Sequence, residues 1–416
     1  MAVLGIVAEF NPFHNGHLYL ITEAQKRYNF SATVCVMSGN FLQRGEPAIC
    51  NKWTRAEMAL ASGADLIIEL PFGFATRSAF FFARGAVQLL SRTGVVTHLA
   101  FGSESGDIES LQSIARLIAN EPDDYQILLK QYLSMGLNFP AARSKTVEQL
   151  LAGKIEDIHH LLMSPNNILA LEYLRAIALE KLCLTPITLN RIESGYHSKL
   201  LCRYASASAI RNALEKHQDI AQLTDTMPAR SLAILEREIR SGRAPVHFNA
   251  MAESILTRLR TITLEDLGNI YEVTEGLEHR IKRAALACGT IDELINMVKS
   301  KRYSFTRISR ILLYSLCNLS KNLVDTLDEN GPLYFHILGF SSKGQKILHE
   351  IKNNSELPLL TRGSEVKQAY NKGSFSCRKM IGLDVLATDL YTLFYPDPSQ
   401  RKGSLDFTTS AVRIDN

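Results

Sequence analysis

The most informative stretch of the sequence is EFNPFHNGH, from Glu9 to His17, which stands between a strand-like run beginning at Val3 and a helical pattern beginning near Gly16. At the carboxyl end of a first parallel strand, the next helix directs free backbone N–H groups and its positive dipole end into a crevice. Two imidazoles three positions apart can both donate hydrogen bonds to phosphate oxygens there, and Gly16 permits close backbone approach. The stretch therefore predicts a phosphate site on a strand–helix turn.

A pair of histidines near a helix start can also be a simple cap or part of a polar network. Here the letters His-x-Gly-His and their place after the first strand together favour nucleotide binding. This is the HxGH arrangement of adenylyl-transferring enzymes. No GxGxxG follows the first strand, so an NAD-binding fingerprint is unsupported.

The residues around this stretch alternate between strand-like and helix-like patterns, which is typical of a parallel sheet with crossover helices. We expect an α/β fold in which residues 1–217 form a Rossmann-like, doubly wound parallel sheet of the HxGH nucleotidyltransferase type. The predicted strands are Val3 to Glu9, Ala32 to Met37, Asp65 to Leu70, Thr97 to Phe101 and Leu184 to Leu189. Helices are expected from about Gly16, Lys52 and Ser208.

The rest of the chain divides into two further regions. Residues 218–330 carry almost only helical patterns and predict a separate, mostly helical domain. Residues 331–416 predict a small C-terminal α/β segment, with a strand at Leu333 to Leu338, a helix at Gly344 to Lys352 and a strand-rich end.

Two further segments are expected beside the predicted phosphate site. Lys52 and Arg55 follow the second strand and share a helix face, which suits a triphosphate or departing pyrophosphate, although a solvated helix face would look the same. Ser206-Ala207-Ser208-Ala209-Ile210-Arg211 offers hydroxyls and a cation at a helix start, where a capping serine is the plainer alternative. Gly102, at the end of a further strand, is a close-approach point for adenosine.

The composition excludes several classes of protein. Hydrophobic residues make up 46% and charged residues 21% of the 416 residues, and the longest apolar runs are too short for a membrane span. Seven cysteines without a CxxC pair indicate a reducing cytoplasm and argue against structural zinc. Adjacent His159 and His160 would point in different directions on a helix, so no metal ligands are assigned. The net charge of +4 does not by itself identify a partner.

Taken in order, the motifs resemble the tRNA(Met) cytidine acetate ligase family along nearly the whole chain. The matching segments are GIVAEFNPFHNGH from Gly5, SGNFLQRGEPA from Ser38, KWTRAEMAL from Lys52, GADLIIELP from Gly63, FGSE from Phe101, SPNNILALEYL from Ser164 and SASAIR from Ser206. The resemblance implies that ATP, with Mg²⁺, activates acetate as acetyl-adenylate. Acetyl then passes to N4 of the wobble cytidine of elongator tRNA(Met), without acetyl-coenzyme A.

The predicted site residues come from two sources. The residues themselves predict His14, His17 and Lys52 as catalytic side chains, and Ser206, Ser208 and Arg211 as the second phosphate clamp. The resemblance implies that Gly102, Asn167 (next to Asn166) and Arg191 contribute to the ATP site. The implied ATP-binding stretch consists of Val7, Ala8, Glu9, Phe10, Asn11, Pro12, Phe13, His14, Asn15, Gly16, His17, Leu18, Tyr19 and Leu20.

A basic segment in the helical region is the candidate RNA contact. It runs from Lys299 to Arg310 and contains five cations and no acid, interleaved with Tyr303 and Phe305 as stacking groups. A solvated basic helix end, with the aromatic rings in the core, is the alternative. The five cations are Lys299, Lys301, Arg302, Arg307 and Arg310.

Two other functions compete with the ligase. An adenylyltransferase acting on a small phosphorylated metabolite would share the HxGH but needs no RNA, so the helical region and the basic segment disfavour it. A non-catalytic RNA-binding protein would not need His14, Gly16 and His17 intact.

Overall fold

A computed structural model describes residues 2–191, 202–217, 220–300 and 302–415. Within these residues eight strands belong to one mixed sheet. They are β1 Val3–Ala8, β2 Ala32–Ser38, β3 Leu66–Leu70, β4 His98–Ser103, β5 Thr185–Asn190, β6 Phe335–Ser341, β7 Leu359–Leu360 and β8 Val412–Ile414.

Helices connect and cover these strands. Those preceding β5 are α1 Asn15–Tyr28, α2 Lys52–Leu60, α3 Phe72–Ala75, α4 Ala79–Arg92, α5 Ile108–Asn120, α6 Asp123–Ser134, α7 Phe139–Leu150, α8 Ile158–Met163 and α9 Pro165–Leu179. Those between β5 and β6 are α10 Ala207–His217, α11 Ala229–Arg240, α12 Ala252–Thr261, α13 Leu264–Asn269, α14 Leu277–Ala287, α15 Ile291–Val298, α16 Phe305–Cys317 and α17 Lys321–Asn330. The last are α18 Ser342–Asn354, α19 Gly363–Lys372, α20 Phe375–Thr392 and α21 Leu405–Thr408.

The first five strands form the predicted parallel sheet, in the spatial order β5-β4-β1-β2-β3. The chain builds outward from β1 to β3 and then returns to the other side of β1 for β4. The connections that follow β1 and β4 therefore run to opposite sides of the sheet. This opens a crevice at the carboxyl ends of these two strands. The α/β fold class is confirmed, and the strand–helix turn after β1 lies at this crevice.

The sheet has an apolar cluster on each face because its strands are buried on both sides. Alternate residues of β2 and β3 contribute to different clusters: Val34 and Ile68 belong to one, and Cys35 and Ile67 to the other. The first cluster continues into the helices between β5 and β6, where Ile311 of α16 is fully buried. No described helix is long and apolar enough to cross a membrane.

The C-terminal segment enlarges this same sheet. β6 pairs antiparallel with β3, placing Ile67 opposite Gly339, and β7 and β8 both run parallel to β6. The sheet thus crosses the predicted boundary near residue 331, while the division into three domains stays a prediction.

The expected strand-rich C-terminus is wrong. Most of it is helical, and α20 alone covers Phe375–Thr392. Ile381, Val385 and Tyr391 have strand propensity, but burial of Cys377, Met380, Ile381, Asp384 and Thr388 follows a helical spacing of three and four residues. Tertiary packing therefore overrides local propensity in this segment.

Candidate functional site

Two connected cavities lie at the crevice between β1 and β4. The larger has a volume of about 490 Å³ and the smaller about 70 Å³. Both are lined by His17, Leu20, Gly102 and Arg191, so they form two lobes of one cleft. The cleft occupies the place at which a doubly wound sheet binds its ligand.

His14 and His17 form a stacked pair at the start of α1. Their ring centroids are 3.8 Å apart. Nδ1 of His14 accepts the Gly16 N–H at 3.0 Å, and Nδ1 of His17 accepts the His14 N–H at 3.2 Å. Since each Nδ1 accepts a hydrogen bond, a neutral ring carries its proton on Nε2. Both rings can therefore donate from Nε2.

The electrostatic surroundings keep both rings neutral. Burial, followed by the positive charges of Arg191 and Arg211, lowers the pKa of His14 to about 3. Burial, His14 and Arg191 likewise lower the pKa of His17 well below its usual value. The pair thus consists of two neutral N–H donors beside the positive end of α1, an arrangement that suits phosphate oxygens.

The two predicted glycines of the site have little space around them. A Cβ on Gly16 would lie 2.8 Å from Cε1 of His14, and one on Gly102 would lie 3.1 Å from Cγ of Arg191. A side chain on Gly16 would displace the His14 ring, and one on Gly102 would press on the Arg191 side chain, so glycine suits both positions.

The second predicted clamp reaches the cleft through its arginine. Arg211 lines the larger cavity and donates to the Asn11 carbonyl at 2.8 Å and to Oγ of Ser208 at 3.3 Å. Oγ of Ser206 accepts the Ala209 N–H at 3.2 Å and caps α10. Ser206 and Ser208 are exposed and lie outside the two cavities. The Ser206 hydroxyl therefore caps α10, the Ser208 hydroxyl contacts Arg211, and only the Arg211 guanidinium faces the cleft.

Most of the predicted stretch from Val7 to Leu20 lines one cavity or the other. Its remaining members have structural surroundings instead. Phe13 is fully buried, and Asn15 donates through Nδ2 to the carbonyls of Arg203 and Asp225. The members that line neither cavity are Pro12, Phe13, Asn15 and Leu18.

Asn166, and not the predicted Asn167, lines the larger cavity. Oδ1 of Asn166 accepts from Nη1 of Arg191 at 3.0 Å. Asn167 is fully buried, and its Oδ1 accepts the Glu104 N–H at 2.9 Å, so it orders the loop after β4. The one-residue difference arises because α9 begins at Pro165 and turns the two side chains in different directions.

The structure does not place Lys52 in the cleft, which corrects its predicted catalytic role. Its fully buried ammonium lies 2.8 Å from Glu69 and 2.6 Å from Asp406. These two acids and His336 are also the described groups that lie close enough together to hold a metal ion, but they surround the Lys52 charge. Lys52 therefore joins the sheet to the C-terminal segment.

Arg55 is also buried and has no free face for a triphosphate. Its guanidinium donates to the backbone carbonyls of Cys50, Glu9, Ser38 and Gly39. Lys52 and Arg55 do share a helix face, but that face packs inward.

The predicted RNA-binding cations have different surroundings. Arg302 is 79% exposed and pairs with the exposed Glu275. Arg310 is buried and paired with Glu272 at 3.0 Å, so it is not a surface phosphate contact. Arg307 donates to the Glu272 carbonyl and stacks over Tyr303. Lys299 is exposed, whereas Lys301 lies outside the described residues.

Sequence reasoning missed the far wall of the cleft. It is formed by side chains from α4 and α9 together with Tyr204, which precedes α10. The quoted motifs gave none of them a role, because apolar and aromatic residues at helical spacing look the same in any core. They are Ala79, Phe82, Ile168, Leu169, Tyr173 and Tyr204.

Comparison with known proteins gives consistent results. The sequence model of the HIGH Nucleotidyl Transferase family matches residues 1–406. The tRNA(Met) cytidine acetate ligase of Syntrophomonas wolfei is 55% identical over 413 residues, which cover 99% of both chains. The enzyme of that name from Halothermothrix orenii is 41% identical, over 99% of this chain and all of its own. A crystal structure of Thermotoga maritima TmcAL bound with alpha-thio ATP matches with a TM-score of 0.93 and 38% identity, over the full length of both chains.

Proposed function

This chain belongs to the tRNA(Met) cytidine acetate ligases of the HIGH nucleotidyl transferase family, and on that premise we propose how its cleft performs the ligation. The reaction couples acetate and ATP to acetylation of a cytidine in tRNA(Met). The observation that supports this assignment most directly is the pair of neutral Nε2 donors of His14 and His17 at the start of α1.

The first step forms acetyl-adenylate. Acetate is ionised near neutral pH, so its oxygen attacks the α-phosphorus of ATP without a general base, and pyrophosphate leaves. His14 and His17 donate to the reacting phosphate, and Arg211 supplies a positive charge at the same cavity. Magnesium accompanies ATP as part of the substrate. Alignment and charge stabilisation account for this step.

Several features of the cleft fit the nucleotide. Gly16 and Gly102 let backbone come close to the ligand, and Arg191 is held by Asn166 at the junction of the two lobes. Nδ2 of Asn11 is a buried donor that lacks a hydrogen-bond partner among the described residues. ATP would give this donor an acceptor, since a buried N–H without a partner is costly.

The second step transfers acetyl to cytidine. The larger lobe has apolar walls from Phe82, Leu169 and Tyr173, which suit an acetyl methyl group and a flipped-out base. Activation by ATP makes acetyl-coenzyme A unnecessary. The substrate tRNA implies a cytoplasmic reaction.

The helical region, residues 218–330, is the proposed tRNA-holding part of the chain. Lys299 and Arg302 are its best-placed cations within the described part of the basic segment, because both are exposed. Arg302 has an exposed partner in Glu275, and such surface pairs are weak enough to exchange for a phosphate.

The proposal is tested by pyrophosphate exchange. Purified protein should incorporate labelled pyrophosphate into ATP only when acetate is present, and mass spectrometry of tRNA nucleosides should detect N4-acetylcytidine after full turnover. Exchange supported by phosphopantetheine or nicotinate mononucleotide, with none for acetate, would assign the chain to metabolite adenylylation instead. Absence of any exchange, with tRNA binding intact, would identify a non-catalytic RNA-binding protein.

A further inference from the structure

One carboxylate lines the cleft among the described residues, that of Glu9. It follows β1 directly and faces the larger cavity together with His17, Arg44 and Arg211. An acid beside bound phosphates repels them. Glu9 therefore weakens the binding of ATP. This cost suggests that Glu9 has a separate role in the reaction.

The Glu9 side chain is held in one orientation. Its Oε1 accepts the Gln43 N–H at 2.8 Å, and its own carbonyl accepts from Nη1 of Arg55. The next residue, Phe10, has a left-handed backbone with φ of 47°, and its buried ring packs 4.9 Å from that of His17. No hydrogen bond of the described residues occupies the other carboxylate oxygen, Oε2. The carboxyl group is thus anchored by one oxygen and open to a ligand at the other.

The other polar groups of the cleft are poorly suited to accept a proton. The accessible Nε2 atoms of His14 and His17 already carry one, and the low pKa values of these rings make them weak bases. Arg44, Arg191 and Arg211 are permanently charged. Burial raises the pKa of Tyr173, so its hydroxyl stays protonated.

We propose that Glu9 is the general base of acetyl transfer and accepts the proton that the cytidine N4 amine loses. This inference rests on the function proposed above. As N4 forms its bond to the acetyl carbon, the bond from that carbon to the phosphate oxygen breaks and its electron pair leaves with AMP. The amine proton passes to Oε2 of Glu9 and then to solvent, which completes the balance of amide, AMP and one proton.

The charges around Glu9 suit this task. Burial raises the pKa of Glu9 above its usual value, and it outweighs the Gln43 hydrogen bond and the positive charges of Arg211 and Arg44. Glu46 adds to the rise, whereas the nearby Arg55 opposes it. A base with a raised pKa accepts a proton more readily near neutral pH, and it is charged and active above that pKa.

Glu9→Gln separates the two half-reactions. The amide is nearly isosteric and can still accept the Gln43 N–H, so the variant should fold, which its melting temperature would verify. With labelled acetate and ATP, acetyl-adenylate is formed on the enzyme, tRNA(Met) is added, and the single-turnover transfer rate is measured. We expect transfer to fall by roughly 100-fold or more, while acetate-dependent pyrophosphate exchange changes by less than about tenfold.

The matched control is Glu46→Gln. It removes the same charge near the same arginines but lies outside both cavities, so transfer should stay near wild type. In the wild type, the transfer rate should fall as pH falls through the raised pKa of Glu9, and Glu9→Gln should lose this dependence. Glu9→Asp, which keeps a carboxylate, should recover part of the rate.

Three results would overturn the inference. Unchanged transfer in Glu9→Gln would remove any base role. A loss of exchange equal to the loss of transfer, with a changed Mg²⁺ requirement, would make Glu9 a ligand of the ATP-bound magnesium. Slower transfer with an unaltered pH profile would make it a positioning group. Failure of the wild type to exchange pyrophosphate with acetate would instead contradict the proposed function.

Discussion

The imidazoles of His14 and His17 show how two backbone hydrogen bonds can fix a tautomer. Because the Nδ1 atoms accept the N–H groups of Gly16 and of the N-cap residue His14, both Nε2 atoms are left as donors. In the proposed reaction, His17→Ala removes one preorganised donor to the charge that develops on the phosphate. Acetate-dependent pyrophosphate exchange should fall by roughly 100-fold or more.

His159→Ala is the matched control for this prediction, because His159 is an exposed histidine on α8. Its exchange rate should equal that of the wild type. A lowered melting temperature in His17→Ala with normal exchange would mean that His17 acts only in the structure of the helix start.

Lys52 illustrates a different use of a positive charge. Lys52→Met keeps the approximate volume but leaves Glu69 and Asp406 buried without their cation, so the free energy of unfolding should fall by about 3–5 kcal/mol. Urea denaturation would measure the loss. Lys26→Met, which removes an exposed cation paired with Glu23, should change it by less than about 1 kcal/mol. Normal stability together with abolished exchange would restore Lys52 to a role in phosphate binding.

The ionisation of Glu69 makes the free energy of unfolding depend on pH. Burial alone would raise its pKa, but Lys52 and His336 outweigh burial and lower the pKa to about 2, from an ordinary value of 4.5. The stabilisation is therefore complete above about pH 4.5 and is lost as pH falls through about 2. We expect the difference in unfolding free energy between wild type and Glu69→Gln to shrink over this range in urea titrations. A difference that does not vary with pH would show that packing accounts for it.

Among the elements, the sequence predicted those whose pattern is local. β1, β2 and α18 lie within one or two residues of their predicted bounds, because buried runs and amphipathic spacing are visible in the letters. The histidine pair and its glycine could be predicted because they form one short motif directly after the first strand. The apolar wall from α4 and α9 could not, since its role depends on which helix packs over the cleft.

The burial of Lys52 and Arg55 could not be predicted from the sequence either. Lys52 and Arg55 follow a strand, as a phosphate-binding pair would, yet their helix packs against β6, which comes from a distant part of the chain. The spacing of α2 predicted that these side chains share a face, but the partner of that face was set by the C-terminal segment.

The basic segment runs from the end of α15 into α16 and gives a prediction for these two elements. Lys299→Glu with Arg302→Glu should weaken tRNA binding, and the slope of log affinity against log salt should become shallower by roughly 0.7 to 0.9 per lost phosphate contact. Acetate-dependent exchange uses no RNA and should stay near wild type. Filter binding at several salt concentrations would measure the slope.

Glu275→Gln is the control for the double variant, because it frees Arg302 from its partner without removing a cation. It should leave tRNA binding unchanged or slightly tighter. An unaltered salt slope in the double variant would mean that the segment is a solvated helix end and does not contact RNA.

At the scale of the whole molecule, the first and last parts of the chain share one sheet. A chain ending at Asn330 would expose the edge of β3 and leave Lys52 without Asp406. We expect this truncated chain to aggregate or to lose cooperative unfolding, as followed by size-exclusion chromatography and circular dichroism.

Removal of residues 411–416 alone is the milder comparison. It deletes β8 but keeps β6, α20 and Asp406, so cooperative unfolding should persist. A soluble, cooperatively folding chain ending at Asn330 would show instead that the C-terminal segment is an independent addition.

The antiparallel pairing of β6 with β3 also has a consequence during synthesis on the ribosome. Leu70 emerges long before Phe335, and at about 5–20 residues per second the interval is on the order of tens of seconds. Throughout this time the nascent sheet has an unpaired edge, and the Lys52 ammonium lacks one of its two carboxylates. The nucleotide cleft and the helical region are translated first, but the sheet is completed only when β6 and β8 follow them.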